Sequence, residues 1–464
     1  MTTTYDVRVY KTEVWKGQRT TTYYVRWKVG ARPWKEPFRT CALADSFRSE
    51  LVAAARSGEA FDIATGRPIS VARADSTESW YGFACSYIDM KWLRAAGKSR
   101  MGNADALATV TPALLLPTGR GCPRPEVLRG ALYGWAFNTR SRTTGPPPAE
   151  LRPVITWIER NTVPISELAK PETLRAALDA LSRKMDGQPA AASTGGRKRA
   201  VFHNALDYAV ERGLLTQNPL HGFKTSKDKT AEAVDRRVVV NHDQAKRLLD
   251  AVRAQGRTGE HLVLFFALLY YAALRPAEAA DLAASALSVP GQGWGELYLP
   301  GSAPTTGAAW GDSGARRDKR GLKHRPRNEV RIVPCAPPLT ALIHEHLSTF
   351  GTTSDGRLFR GARGGDLSDS TYGRVWQQAR HHALSAAEAA SPLARRPYDL
   401  RHAAVSTWLN GGVEPTRVAE WAGHSVAVLL RVYAKCIAGQ EATARHRVGL
   451  ALGLPTTATT DSAS

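Results

Sequence analysis

Cysteine is scarce in this sequence: five residues in 464, Cys41, Cys85, Cys122, Cys335 and Cys436, odd in number, far apart and without a C-x-x-C pair. That spacing argues against a disulfide framework or a zinc site and fits a reducing compartment. Long apolar runs are also missing. The longest, LVLFFALLYYAAL from Leu262 to Leu274, falls short of the roughly 20 residues that cross a bilayer, so a buried core helix is expected there and no membrane partner. Met1-Thr2-Thr3-Thr4-Tyr5-Asp6 has no charged-then-apolar pattern, and a secretory leader is not expected. Neither a Walker loop nor a nuclease-type carboxylate cluster occurs. Internal repeats and heptads are absent as well. Acidic residues are the remaining deficit: 42 Asp and Glu face 63 Lys and Arg, for a formal charge of +21 and a pI near 10.0. Such an excess favours a polyanionic partner through counterion release, with nucleic acid foremost.

At 464 residues the chain exceeds one ordinary core, so two or three domains are expected. Residues 5–10 (YDVRVY) and 21–29 (TTYYVRWKV) read as strands rich in Val, Tyr and Thr. Leu43, Phe47, Leu51 and Ala55 recur at four-residue steps and read as one amphipathic helix ended by Gly58. This module, over 1–65, offers Arg8, Arg26, Lys28, Arg32 and Lys35 to phosphates. Trp80, Phe83, Ala84, Tyr87 and Ile88 then open a helical region over 75–224, where Val201, Ala205, Tyr208 and Ala209 line a helix stopped at Gly213. Lys98 and Arg100, and again Arg197, Lys198 and Arg199, cluster near helix starts, where free amides also favour phosphate. The polar stretch 225–237 reads as a linker, 238–450 as a further domain and 451–464 as a disordered tail. The expected fold class is mainly α with small β elements, in several domains.

The chemistry concentrates late. Arg275 follows the apolar run and precedes Pro276, which suits the first turn of a helix; Glu278, three residues on, can hold its guanidinium. Residues 316–333 are loaded with cations and read as a β-hairpin, ending in a strand where Val330 and Ile332 alternate against Arg331 and Val333. Asp399 to Asn410 reads as a helix with Arg401 and His402 near its positive end and Leu400, Ala404, Val405, Trp408 and Leu409 inward. Gly423-His424 forms a turn, and the apolar helix Val426 to Ile437 carries Tyr433 nine residues after His424.

These segments, Leu274-Arg275-Pro276-Ala277-Glu278, Tyr398-Asp399-Leu400-Arg401-His402, Gly423-His424 and Tyr433, resemble the active-site boxes of the tyrosine recombinase (phage integrase) family. The resemblance implies that Tyr433 attacks a DNA phosphate to give a 3′-phosphotyrosyl intermediate, with Arg275 and Arg401 on the nonbridging oxygens and His424 assisting. It further implies that a hairpin lysine, best matched by Lys323 with Lys319 as the alternative, protonates the leaving 5′-hydroxyl. Glu278 and His402 take supporting places. One position departs from the family: Tyr398 stands where most members have histidine, and a phenol is a poor base near neutral pH. Because the phosphotyrosine keeps the bond energy, no cofactor or metal is implied. The implied partners are double-stranded attachment sites, three further protomers of a homotetramer, and an excision factor or host DNA-bending protein; the expected location is cytoplasmic and nucleoid-associated. The front module loosely resembles the arm-type DNA-binding domains of integrases. Two other readings stay open, a recombinase-derived DNA-binding protein that no longer cuts and a type IB topoisomerase.

Overall fold

The computed structural model describes residues 3–17, 20–69, 78–117, 121–223, 233–321, 329–433, 448 and 451–452. It divides into two compact units, Met1–Asp228 and Lys229–Ser464.

The first unit begins with strands β1 (Thr3–Thr4), β2 (Val7–Val9), β3 (Glu13–Lys16), β4 (Thr21–Val29) and β5 (Arg32–Phe38), then α1 (Cys41–Arg56) and β6 (Phe61–Asp62). β4 is the spine of an antiparallel sheet: β5 pairs along most of its length, and β2 and β3 pair with its two ends. Its side chains alternate as a half-buried strand requires. Val25, Trp27 and Val29 are buried against Ala44 and Leu51 of α1, while Arg26 and Lys28 face out. The cross-strand register sets Arg8 beside Lys28 and Arg26 beside Lys35, so these four cations share the open face, whereas Arg32 stands opposite the buried Val29. Thr40 caps α1 by accepting from the Leu43 amide, and Gly58 follows its end at φ +74°.

The rest of this unit is helical: α2 (Trp80–Trp92), α3 (Gly97–Val110), α4 (Pro125–Ala131), α5 (Thr139–Thr144), α6 (Arg152–Asn161), α7 (Pro171–Leu181) and α8 (Ala192–Glu211). The expected stripe of α2, Trp80, Phe83, Ala84, Tyr87 and Ile88, is buried throughout. Trp80 meets Phe202 of α8 edge-on at 5.8 Å. Two expected DNA contacts are corrected here. Arg100 is 3% exposed, and its guanidinium donates to the Trp92 carbonyl and lies over the Trp92 ring. Lys198 is 9% exposed, and its ammonium donates to Thr109 and pairs with Asp105. Both serve the interior because a buried cation needs a partner: the end of α2 supplies one to Arg100, and α3 supplies one to Lys198. Lys98 and Arg197 are exposed, while Arg199 is half-buried and donates to the Phe223 carbonyl.

The second unit contains α9 (His242–Arg253), α10 (Gly256–Tyr271), α11 (Pro276–Asp281), β7 (Leu287–Ser288), β8 (Gly295–Leu299), β9 (Gly301–Ser302), β10 (Arg320–Gly321) and β11 (Arg331–Cys335). It continues with α12 (Pro337–Phe350), α13 (Asp369–Ala383), α14 (Ala386–Ala390), α15 (Tyr398–Asn410), α16 (Pro415–Ala422) and α17 (Val426–Tyr433). The apolar run forms α10, buried from Leu262 to Tyr270 at the centre of the core. Among the described residues no helix is long and apolar enough to cross a membrane.

The hairpin expected within 316–333 is drawn differently. β10 and β11 pair with β9 and β8, so the partner strand is 295–302. The phase of β11 is also the reverse of an apolar-inward strand at its start: Arg331 is 1% exposed, whereas Ile332 is 45% exposed. Arg331 shares the inward face with Val333 and Cys335 because a carboxylate waits there.

Candidate active site

That carboxylate is Glu278. Pro276 starts α11 with its fixed φ, Arg275 stands at the cap, and the Arg275 amide donates to Oε2 of Glu278 at 2.8 Å. The guanidinium of Arg275 donates to Oε1 at 2.7 Å and, through Nη2, to the Gly423 carbonyl at 2.8 Å. From the other side Arg331 grips both oxygens of Glu278, at 3.0 and 2.7 Å. Glu278 is 3% exposed. Burial alone would raise its pKa, but Arg331 and Arg275 outweigh it and hold the carboxyl down at about 2. Sequence reading placed Arg331 in the strand without a role. Its signal was parity, since it shares spacing with Val333 and Cys335.

Arg401 lies in the first turn of α15 and is wholly buried. Its Nη1 donates to the Ala273 carbonyl, and its Nη2 to the Ala422 carbonyl and to Nε2 of His424 at 2.9 Å. Ala273 adopts φ +50°, a conformation costing an alanine roughly 1–2 kcal/mol. Since arginine only donates, Nε2 of His424 must accept, and the imidazole proton sits on Nδ1. Nδ1 is buried with no hydrogen-bond partner among the described residues. Burial, then the charges of Arg401 and Arg275, press the His424 pKa down to about 3, so the ring is neutral at physiological pH.

Tyr433 is the last described residue of α17 and is fully buried beside Leu429, Ala404 and Val405. Its ring stacks on His424 at 6.2 Å, and its hydroxyl meets Nδ1 of His402 at 2.9 Å. His402 is neutral as well, lowered to about 4 chiefly by burial. Tyr398 stands edge-on to His402 at 5.1 Å, with the Arg401 guanidinium 5.9 Å from its ring centre. For Arg275, burial works against the charge, but Glu278 first and Tyr398 after it more than restore it. Thus Arg275, Tyr398, His402, Tyr433, His424 and Arg401 form one continuous cluster, with Glu278 and Arg331 behind it. His402, expected only to support, touches the tyrosine oxygen itself. Lys323 lies outside the described residues. Lys319 is exposed and lines, with Glu278, a cleft of about 810 Å³.

Gly423 makes the junction possible. It closes α16 in the left-handed conformation at φ +65°, and a β-carbon there would collide with Nη1 of Arg331 and press on Nη1 of Arg275. Gly423→Ala is expected to cost about 2–4 kcal/mol, from the left-handed penalty plus overpacking. Urea denaturation measures it, and an unchanged midpoint would show that the two guanidinium groups yield without cost.

Four histidines of this unit are held neutral by burial: His261 and His402 at about 4, His424 at about 3, and His346 also lowered. An unfolded histidine titrates near 6.5, so below that pH the unfolded chain takes up protons that the folded chain refuses. Stability is complete above about 6.5 and falls until about pH 3, where His424 takes up its proton in the folded chain. The total loss is several kcal/mol, since each tenfold weakening of proton affinity in the folded chain is worth about 1.4 kcal/mol. Denaturation midpoints measured from pH 7 to 4 should drop steadily; a flat profile would mean that these rings are protonated in the folded state.

No curated protein sequence matches the chain. Among solved structures, it is similar to the Tn1549 transposon integrase in complex with circular intermediate DNA, at 16% identity over 68% of this chain and 97% of that one, with a TM-score of 0.45. It is also similar to the XerH site-specific recombinase bound to its difH substrate in a pre-cleavage complex, at 10% identity over 76% and 94%, TM-score 0.42. A lambda integrase dimer bound to a COC′ core site matches at 14% identity over 62% and 92%, TM-score 0.39. Residues 238–437, which hold the whole described cluster from Arg275 to Tyr433, match the sequence model of the phage integrase family, and this part of the chain is a phage integrase family domain.

Proposed function

We propose that the chain is a tyrosine-type site-specific DNA recombinase that integrates or excises a mobile element. The observation that carries this reading is the Tyr433 hydroxyl 2.9 Å from His402, inside the cluster that holds Arg401, His424 and Arg275. The phenol oxygen attacks phosphorus, the bond from phosphorus to the 5′-oxygen breaks, and a 3′-phosphotyrosine remains. Arg275, the less buried of the two family-matched arginines, meets a nonbridging oxygen with a guanidinium that Glu278 already orients. Arg401 supplies fixed positive charge and fixes the tautomer of His424, whose Nδ1–H is free to donate to the phosphate.

The phenol proton passes to Nδ1 of His402. In the DNA-free chain His402 is a weak base, because burial and the neighbouring Arg396 and Arg401 lower its pKa. A phosphodiester anion offsets those charges and raises it toward the useful range. Tyr398 therefore need not act as a base: it orients Arg275 and walls His402, and the departure from the family is tolerated. Lys323 protonates the leaving oxygen in this scheme. Tyr433 is fully covered, so α17 must shift for a phosphate to reach it.

The partners in this reading are duplex attachment sites, three further copies of the chain, because two duplexes undergo four cleavages, and an excision factor or host DNA-bending protein. The open face of the β4 sheet, with Arg26 and Lys28, serves as an arm-type contact, joined by Lys98, Arg197 and Arg199 in the helical region. The proposed bodies are 1–65, 75–224 and 238–450, and the place of action is the nucleoid. Incubation with an attachment-site duplex nicked beside the scissile phosphate tests the function: the freed fragment diffuses away and a denaturant-resistant protein–DNA adduct accumulates. DNA binding without an adduct would support the non-cutting reading instead, and relaxation of any supercoiled plasmid a topoisomerase.

A further inference from the structure

We propose that the first unit binds one divalent transition-metal ion of the zinc class through His203, Asp207 and His221. The scarcity of cysteine gives no hint of this, because the donors are imidazole and carboxylate. His203 and Asp207 are four residues apart on α8 and so share one face, with Nδ1 of His203 3.0 Å from Oδ2 of Asp207. The turn that follows α8 brings His221 back to that face, its ring 5.3 Å from the ring of His203. One donor atom from each of the three lies within 4.8 Å of the others. Donors around a tetrahedral zinc ion, with bonds of about 2.0–2.1 Å, stand about 3.3 Å apart, so modest side-chain rotations close the set.

The cluster is built from behind by a buried amide. Asn218 is 3% exposed, and its Nδ2 donates both to Oδ1 of Asp207 at 2.6 Å and to the His203 carbonyl at 3.1 Å. Its Oδ1 accepts from the Leu220 amide at 3.0 Å, next to His221. One side chain thus orients the carboxylate, the helix backbone and the returning turn, which is the outer-shell support that ligating groups need. Two imidazoles with one carboxylate suit zinc, cobalt or nickel over magnesium or calcium. His221 and Asp207 are exposed and His203 half-buried, so an ion has a path in and a coordination position remains for water. The bound ion ties the segment after α8 onto that helix, two residues before the described part of this unit ends at Phe223.

The test uses tag-free, full-length protein stripped with chelator and titrated with zinc chloride against a chromogenic chelator, with cobalt chloride in parallel. One equivalent of zinc bound, cobalt absorption bands in the visible, and a higher melting temperature with metal are expected. His221→Ala, at an exposed position, should weaken binding by about tenfold or more while its metal-free melting temperature stays that of the metal-free parent. Failure of the parent to bind one equivalent, or unchanged affinity in both His203→Ala and His221→Ala, would overturn the assignment.

Discussion

Tyr433→Phe is expected to yield no covalent DNA adduct while binding the same duplex in a mobility-shift assay with parental affinity. The substitution removes one oxygen. The ring keeps its stacking on His424 and its packing against Leu429, Ala404 and Val405. The hydroxyl's hydrogen bond to His402 is lost, worth about 1 kcal/mol, too little to unfold a domain. Phosphoryl transfer to the enzyme, by contrast, is assigned to the one phenol oxygen that His402 hydrogen-bonds, with Tyr398 given to orienting Arg275, so adduct formation should fall to background rather than by a modest factor. An adduct of parental yield from the phenylalanine variant would end the assignment of Tyr433 and with it the proposed mechanism.

The second large effect is expected at Glu278. Two guanidinium groups, Arg275 and Arg331, lean on this one buried carboxylate, and Arg331 is itself only 1% exposed. Glu278→Gln keeps the shape but leaves buried positive charge without a counter-ion, which costs about 3–5 kcal/mol when one partner of a buried pair is removed. The folded-state pKa of about 2 fixes the sign of the pH dependence. The carboxylate stabilises the parent fully above its ordinary value near 4.5, and this contribution drains away as pH falls toward 2. The gap between parent and variant should therefore be widest at neutral pH and narrow in acid. Denaturant titration at pH 7 and pH 3 measures both; a neutral-pH difference under about 1 kcal/mol would show that water or an anion already shares the two cations. Adduct formation should fall as well, because Arg275 loses the partner that aims it.

Much of this architecture was legible in the chain itself. The four-residue steps of α1 and the apolar stripe of α2 are local rules of burial and survive intact. The cluster was legible for a different reason. Arg275 and Glu278 are three residues apart at a helix cap, and Arg401 and His402 are neighbours near a helix start, so local geometry already aims them. Arg331 could not be assigned, because what makes a buried arginine acceptable is a carboxylate 53 positions away. The same blindness ran the other way at Arg100 and Lys198. A basic cluster near a helix start reads as a surface patch until the acceptors in Trp92, Thr109 and Asp105 are seen.

Residue order alone determined the helical class, the basic character and the identity of the groups proposed to hold and attack a phosphate. Only tertiary structure decided that Glu278 serves two arginines, that Arg401 fixes the tautomer of His424, and that His402 meets the Tyr433 oxygen. The physical reason is range. Helical periodicity and capping act over three or four residues, whereas the charge state and exposure of a buried side chain depend on groups that the fold brings from far along the chain.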